Sequence, residues 1–158
     1  TMTSAMLRQS LTFLGDSVPA GALDGYVDGV VVVTTKGLLS AQPQFIVAIL
    51  EFETEAAALR FMDVERAVDA AKNKVFSKPG GAFMVRDAES RDLRWENRDA
   101  FYSAKYMSSP DLSVVRMRNL VFPSGKRVVE FSAQGEDFAT VELQELASKV
   151  LEILENGE

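Results

Sequence analysis

The residues with the clearest potential for catalysis lie near the start of the chain, where Gly15, Asp16 and Ser17 follow an apolar stretch. A serine on a tight turn could attack an ester carbonyl, but its hydroxyl is a weak nucleophile until a nearby base removes the proton. The chain contains no histidine and no cysteine. A Ser-His-Asp triad, a thiolate nucleophile and thiolate-bound metals are therefore excluded. The sequence favours a turn that ends a helix.

The same segment resembles the nucleophile block of the GDSL esterases, in which a strand ends in Gly-Asp-Ser. The resemblance implies that Ser17 is a nucleophile and that Gly15 belongs to the turn that exposes it. That family takes its base from a C-terminal Asp-x-x-His, which this chain lacks, and no Ser-x-x-Lys segment offers a lysine instead. A small serine hydrolase is therefore the disfavoured alternative.

Two further segments carry residue types that bind ions or phosphates. Asp24 and Asp28 each precede a glycine, but the alternating ligands and terminal glutamate of an EF-hand loop are missing. Residues 78–81 are Lys-Pro-Gly-Gly, which lacks the Gly-Lys-Ser/Thr ending of a phosphate-binding loop. Both segments are predicted to be turns, so the sequence predicts no metal site and no cofactor.

Length and charge limit the possible classes of protein. The 158 residues carry a net charge of −6 and are 47% hydrophobic, which suits one globular domain spanning residues 1–158. Nucleic-acid binders normally carry a basic excess, so that class is disfavoured. No apolar run approaches the roughly 18 residues that span a bilayer, so no transmembrane segment is expected.

Hydrophobic periodicity predicts the elements of secondary structure. Apolar residues recur at three- and four-residue steps over residues 4–14, over 54–75 and in a last helix that ends at Asn156. Alternating or β-branched runs predict strands over residues 30–35, 44–52, 82–86, 100–107, 112–122 and 126–133. This order predicts an α+β fold, with a mainly antiparallel sheet of about six strands and helices packed on it as an α/β/α sandwich.

A charged block around the only tryptophan is the strongest candidate for a contact surface. Seven of the twelve residues in 88–99 are charged, and Trp95 is surrounded by Arg91, Arg94 and Arg98. Because tryptophan and arginine dominate interaction hot spots, we expect these residues to bind a protein partner. The alternative is a charged edge strand or loop whose tryptophan turns into the core.

Two other regions also suggest contacts. Arg116 and Arg118 alternate on one face of a predicted strand, where they could meet an anionic headgroup or an acidic partner, or could form a solvated face paired with Glu130. Residues 1–50 carry only five charged side chains. That third of the chain either supplies buried or loop structure or presents an apolar surface to a partner or membrane.

The C-terminal part resembles the corresponding half of Mog1/PsbP-like domains. The shared features are Tyr102 and Tyr106, a turn, a strand over 114–121, a turn at 124–126, a strand over 128–133, and a helix that follows Glu136. The resemblance implies an α/β/α sandwich with a binding or assembly role. Actinobacterial envelope lipoproteins have related layouts.

The sequence therefore predicts a non-enzymatic binding or adaptor domain. Its expected partner is a protein, for instance a membrane protein in a cell-envelope assembly such as a lipid transport system, with lipid as another candidate. The expected location is the membrane or envelope, although the cytoplasm stays open. The alternative is a lipid or small-ligand carrier with an apolar groove between helix and sheet.

Replacing the candidate nucleophile tests the enzyme alternative. We expect Ser17→Ala and the unchanged protein to give the same background in a broad ester-hydrolysis screen, because no base activates this hydroxyl. A rate above background in the unchanged protein that disappears in the variant would establish a hydrolase.

Overall fold

The computed structural model describes residues 1–12, 20–35, 44–76, 84–109, 112–135 and 140–156. Gly15, Asp16 and Ser17 lie outside the described residues. The helices are α1 (Ser4–Thr12), α2 (Glu55–Phe76) and α3 (Thr140–Asn156). The strands are β1 (Tyr26–Thr35), β2 (Gln44–Phe52), β3 (Met84–Trp95), β4 (Arg98–Ser109), β5 (Leu112–Ser124) and β6 (Arg127–Gln134).

All six strands form one antiparallel sheet in the order β1-β2-β6-β5-β4-β3. The predicted α+β class and the strand number are therefore confirmed. The strands β1 and β3 form the two edges, while β5 and β6 lie at the centre. Leu120, Phe122, Val129 and Phe131 of these central strands are completely buried.

Helices cover both faces of the sheet. The apolar side of α2 packs on one face through Phe61, Val64 and Val68, and Leu7 of α1 joins the same cluster. On the other face, α3 contributes Leu143, Ala147 and Leu151 to a second cluster. Each amphipathic helix thus buries one stripe against the sheet. Within the described residues, no helix has both the length and the hydrophobicity needed to cross a membrane.

The edge strand β3 extends well beyond the predicted strand over 82–86. It continues to Trp95 and returns through a two-residue turn at Glu96 and Asn97, whose φ angles of 46° and 59° fit a type I′ hairpin. A register shift accompanies Asp87, whose φ is 49°. Because this bulge interrupts the alternation and most of β3 is exposed, periodicity could not reveal the full strand.

Candidate functional site

A cavity of about 220 Å³ lies between α2 and the three strands β4, β5 and β6. Its walls combine charged, hydroxyl and amide side chains with an apolar part formed by Val68, Phe101, Met107, Met117 and Val121. The polar lining residues are Glu65, Asp69 and Lys72 from α2, Ser103 and Lys105 from β4, Asn119 from β5, and Glu130 and Ser132 from β6. A chamber lined in this way is a candidate binding site because ligand pockets hold a few converging polar groups.

The helix brings its polar residues together through its spacing. Glu65, Asp69 and Lys72 follow one another at steps of four and three, which places them on one helix face together with Val68. Val68 packs in the core and also lines the cavity. The buried stripe of α2 therefore changes from apolar to charged toward its C-terminal half.

The sheet supplies a polar row that runs across three strands. Ser103 of β4 lies opposite Asn119 of β5, which lies opposite Ser132 of β6. The Asn119 amide donates to the Ser103 Oγ at 3.2 Å, and the Ser132 hydroxyl donates to the Asn119 Oδ1 at 2.7 Å. These side chains hold each other in place, so the floor of the cavity is preorganised.

A buried ion pair joins α2 to β4 at one side of the cavity. Lys105 Nζ lies 2.6 Å from Asp69 Oδ1 and also donates to Asn73 Oδ1 at 2.6 Å. Ser90 donates to the second Asp69 oxygen at 2.7 Å. Burial alone would raise the pKa of Asp69, but hydrogen bonds from Lys105 and Ser90 and the lysine charge lower it overall. This pair is well satisfied and holds the helix on the sheet.

In contrast to Asp69, the two glutamates of the cavity have raised pKa values. Burial, the charge of Glu130 and that of Asp69 outweigh the charge of Lys72 and raise the pKa of Glu65 to about 8. Burial also raises the pKa of Glu130, against the charge of Lys72 and a hydrogen bond from Ser132. Both glutamates also line a smaller neighbouring cavity of about 140 Å³. At neutral pH, the geometry therefore favours retention of a proton by this carboxyl pair.

The chemistry open to this chamber is recognition or proton exchange. Within the described ranges, no group of three or more acidic side chains is placed to hold a metal ion. Two carboxyl groups with raised pKa values can accept hydrogen bonds from a ligand or exchange a proton with it.

The structure places Trp95 in the core. Its side chain is 8% exposed and packs against Phe122, with 4.6 Å between the ring centroids. This is the core alternative that the sequence left open. Trp95 belongs to the cluster beneath α3, on the face opposite the cavity.

The three arginines near Trp95 occupy different surroundings. Arg91 is exposed and lies over the Tyr102 ring, 5.2 Å from its centroid. Arg94 pairs with Asp99 at 2.7 Å. Arg98 pairs with Glu155 and donates to the Glu96 carbonyl at 2.8 Å. Their predicted role in partner binding stays a prediction.

Arg116 and Arg118 of β5 also lie on the face of the sheet that packs against α3. Arg116 stacks over Tyr106 at 5.3 Å, whereas Arg118 is buried and reaches the Gly135 carbonyl at 3.4 Å. Arg118 lies opposite Ala104 and Ala133, both members of the cluster beneath α3. These arginines and the cavity therefore lie on opposite faces of the sheet.

Sequence reasoning did not identify the cavity residues as a site. The signals were present but weak: Ser103 and Lys105 alternate with Tyr102, Ala104 and Tyr106 on β4, and Glu130 interrupts the apolar run of β6. Only the tertiary structure shows that Glu65 from the distant α2 lines the same cavity as Glu130.

Comparisons with known proteins identify the fold. No family model and no curated protein matches this chain. The extracellular domain of PknH from Mycobacterium tuberculosis is similar in structure, with a TM-score of 0.59, 14% identity, and coverage of 90% of this chain and 70% of that one. LpqN, involved in cell envelope biogenesis of M. tuberculosis, matches with a TM-score of 0.37, 13% identity, and coverage of 77% and 79%. The chain thus shares its fold with a mycobacterial extracellular domain.

The charge state of Glu65 should influence folding stability in a predictable direction. Its raised pKa means that the folded state binds a proton more tightly than the unfolded state, so stability decreases as pH rises from the usual glutamate range through about 8. We expect Glu65→Gln to change the thermal midpoint little at pH 5 and to raise it at pH 8–9.

The matched control is Glu145→Gln, which alters an exposed glutamate of α3. It should leave the pH profile of the thermal midpoint unchanged. If the Glu65 and Glu145 variants shift that profile equally, the proton on Glu65 does not control the pH dependence.

Proposed function

We propose that this chain is a non-enzymatic binding domain of an envelope- or membrane-associated protein, and that the cavity beneath α2 receives a small polar ligand. The observation that carries this proposal is the cavity itself, where a preorganised polar row faces charged residues of a helix. A polar cavity between helix and sheet costs stability, because the same volume filled with apolar side chains would pack better. A function in binding would explain why this chamber is present.

The proposed location and the absence of catalysis have separate support. The similarity in fold to the extracellular domain of PknH supports a position outside the cytoplasm. The absence of histidine and cysteine from the sequence supports a role without imidazole or thiol catalysis. A relationship to Mog1/PsbP-like domains stays part of the proposal.

The size of the chamber sets the size of its ligand. Drug-sized ligands occupy pockets of roughly 300–1,000 Å³, so a cavity of about 220 Å³ suits a smaller molecule. Its apolar part includes Met107, Met117 and Val121. A short aliphatic segment next to a polar group would match both kinds of wall.

Filling the cavity tests this proposal. The measurement is thermal unfolding in a panel of small amino acids, amines, sugars and carboxylic acids at millimolar concentration. A ligand present at 100 times its Kd stabilises a folded protein by about 2.7 kcal/mol. We expect at least one class of solute to stabilise the unchanged protein and not Met117→Trp, whose larger side chain occupies the chamber.

The control variant is Met84→Trp, because Met84 is 45% exposed on β3 and does not line the cavity. It should respond to solutes like the unchanged protein. The small-ligand proposal is wrong if no solute stabilises the unchanged protein more than Met117→Trp.

A second candidate function, adaptor binding to a protein partner, is favoured by the edge strand β1. Val27, Val30, Val32 and Val33 are 50–57% exposed, and β2 is the single described strand that pairs with β1. An exposed edge with apolar side chains can accept an added strand from another protein. This placement favours the interpretation that the weakly charged first third contacts a partner. Arg91, Arg94, Arg98, Arg116 and Arg118 lie on strands β3, β4 and β5, so their predicted contacts are separate from the β1 edge.

Site-specific crosslinking in the cells that produce the protein tests the adaptor role. A photoreactive residue at Val32 should give one defined adduct, identified by mass spectrometry. The same residue at Ile153, which is 69% exposed on α3, should not give it. Identical adducts from both positions, or none from Val32, would exclude β1 as the contact strand.

A further inference from the structure

The charges in the cavity beneath α2 do not balance. Of its five charged side chains, Asp69 and Lys105 neutralise each other across 2.6 Å. The others are Glu65, Glu130 and Lys72. When both glutamates are ionised, these three side chains carry one more negative than positive charge. Excess charge on half-buried side chains is unfavourable, so a cation bound beside the ionised pair would stabilise it.

We propose that the cavity binds a small organic ammonium ion, with its charged nitrogen between the carboxyl groups of Glu65 and Glu130. This inference rests on the proposed function, because it names the class of ligand for the same chamber. An ammonium group supplies the missing positive charge and carries several hydrogen-bond donors.

Hydrogen bonding in the cavity also favours a donor ligand. In the described part of the chain, no hydrogen bond is made to the Glu65 carboxyl, although it lines both cavities. Glu130 accepts a long hydrogen bond of 3.4 Å from Ser132, whose hydroxyl lies closer to Asn119. The two carboxyl groups therefore have acceptor capacity that the protein itself leaves largely unused.

Other ligand classes fit the chamber less well. An anionic ligand would add a like charge beside Glu65 and Glu130 in a region of low dielectric. Calcium needs six to eight oxygen ligands, and among the described residues no three acidic side chains are placed to hold a metal ion together. The apolar wall formed by Met107, Met117 and Val121 offers contact to an alkyl chain rather than to a bare ion.

Binding of an ammonium ion should displace the proton that the carboxyl pair holds. Near neutral pH the carboxyl pair retains a proton because the pKa of Glu65 is raised to about 8. The charged groups around Glu65 are Asp69 and Lys72 on α2, Glu130 on β6 and Lys105 on β4. When R–NH₃⁺ enters, the Glu65 proton leaves to solvent and the carboxylate accepts hydrogen bonds from the ammonium. Affinity should therefore rise with pH through about 8, as long as the amine itself stays protonated.

Calorimetric titration of the whole chain tests this exchange with three probes of similar shape: n-butylammonium, the neutral alcohol 1-pentanol and the anion pentanoate. We expect n-butylammonium to bind at least about tenfold more tightly than the other two, a difference equal to one unit of pKa. Titrations in buffers of different ionisation enthalpy should show release of up to one proton per bound ammonium at pH 7 and less at pH 9.5.

Two variants test whether n-butylammonium binds at the carboxyl groups of Glu65 and Glu130. Glu65→Gln and Glu130→Gln should each remove the preference for the ammonium and the release of a proton, while Glu145→Gln retains both. Circular dichroism checks that each variant is folded. Because Glu65→Gln removes a destabilising charge, it should remain folded.

The possible results distinguish the proposal that the cavity binds a small ligand from the proposal that this ligand is an ammonium ion. If 1-pentanol or pentanoate binds as tightly as n-butylammonium and Met117→Trp blocks it, the chamber binds small ligands but the ammonium class is wrong. Ammonium binding that both glutamine variants retain would also overturn the inference. If none of the probes binds at 10 mM, the ammonium proposal fails, and the solute panel with Met117→Trp decides the broader proposal independently.

Discussion

The contact between α2 and the sheet is the interaction on which the rest of this structure depends. The helix connects β2 on one side of the sheet to β3 at the opposite edge, so its placement fixes where the second half of the sheet forms. Its first half is held by apolar packing of Phe61 and Val64. Its second half is held by the ion pair between Asp69 and Lys105. Breaking such a buried pair typically costs about 3–5 kcal/mol.

This mixed interface explains why a chamber exists beneath the helix. Apolar side chains could fill the space between α2 and β4–β6 to normal packing density, but charged residues must retain partners or room for solvent. Asp69 and Lys105 find partners in each other and in Ser90 and Asn73. Burial penalises the ionised forms of Glu65 and Glu130, and the charge of Glu130 adds to this at Glu65, so the pair destabilises the empty fold at alkaline pH. Groups that reduce stability in this way are typical of functional sites.

The two faces of the sheet have distinct roles. The face beneath α3 buries Trp95, Phe122 and Phe131 among apolar neighbours. On that side Arg91 and Arg116 stack on tyrosine rings, and Arg98 pairs with Glu155 of α3. The face beneath α2 holds the polar chamber. The edges differ as well, since β1 exposes valines and β3 exposes charges.

The sequence by itself determined the secondary structure of most of the chain and the α+β class. Periods of 3.6 and 2 are local properties, so α2, the strands β2, β4, β5 and β6, and the apolar stripe of α3 could be predicted from neighbouring residues. It also determined the excluded chemistries, because a residue type that is absent cannot act. The hairpin at Glu96 and Asn97 was missed because an exposed edge strand lacks the alternation that a buried face imposes.

Only the tertiary structure decided where the candidate site lies. The polar row depends on the pairing register of Ser103, Asn119 and Ser132, which lie on three strands. The charge excess depends on Glu65 and Glu130, which are 65 positions apart in the sequence and share one cavity. The tertiary structure likewise decided that Trp95 is buried. The physical reason is that burial and charge–charge repulsion depend on distances in space, and one-dimensional periodicity contains no information about which faces meet.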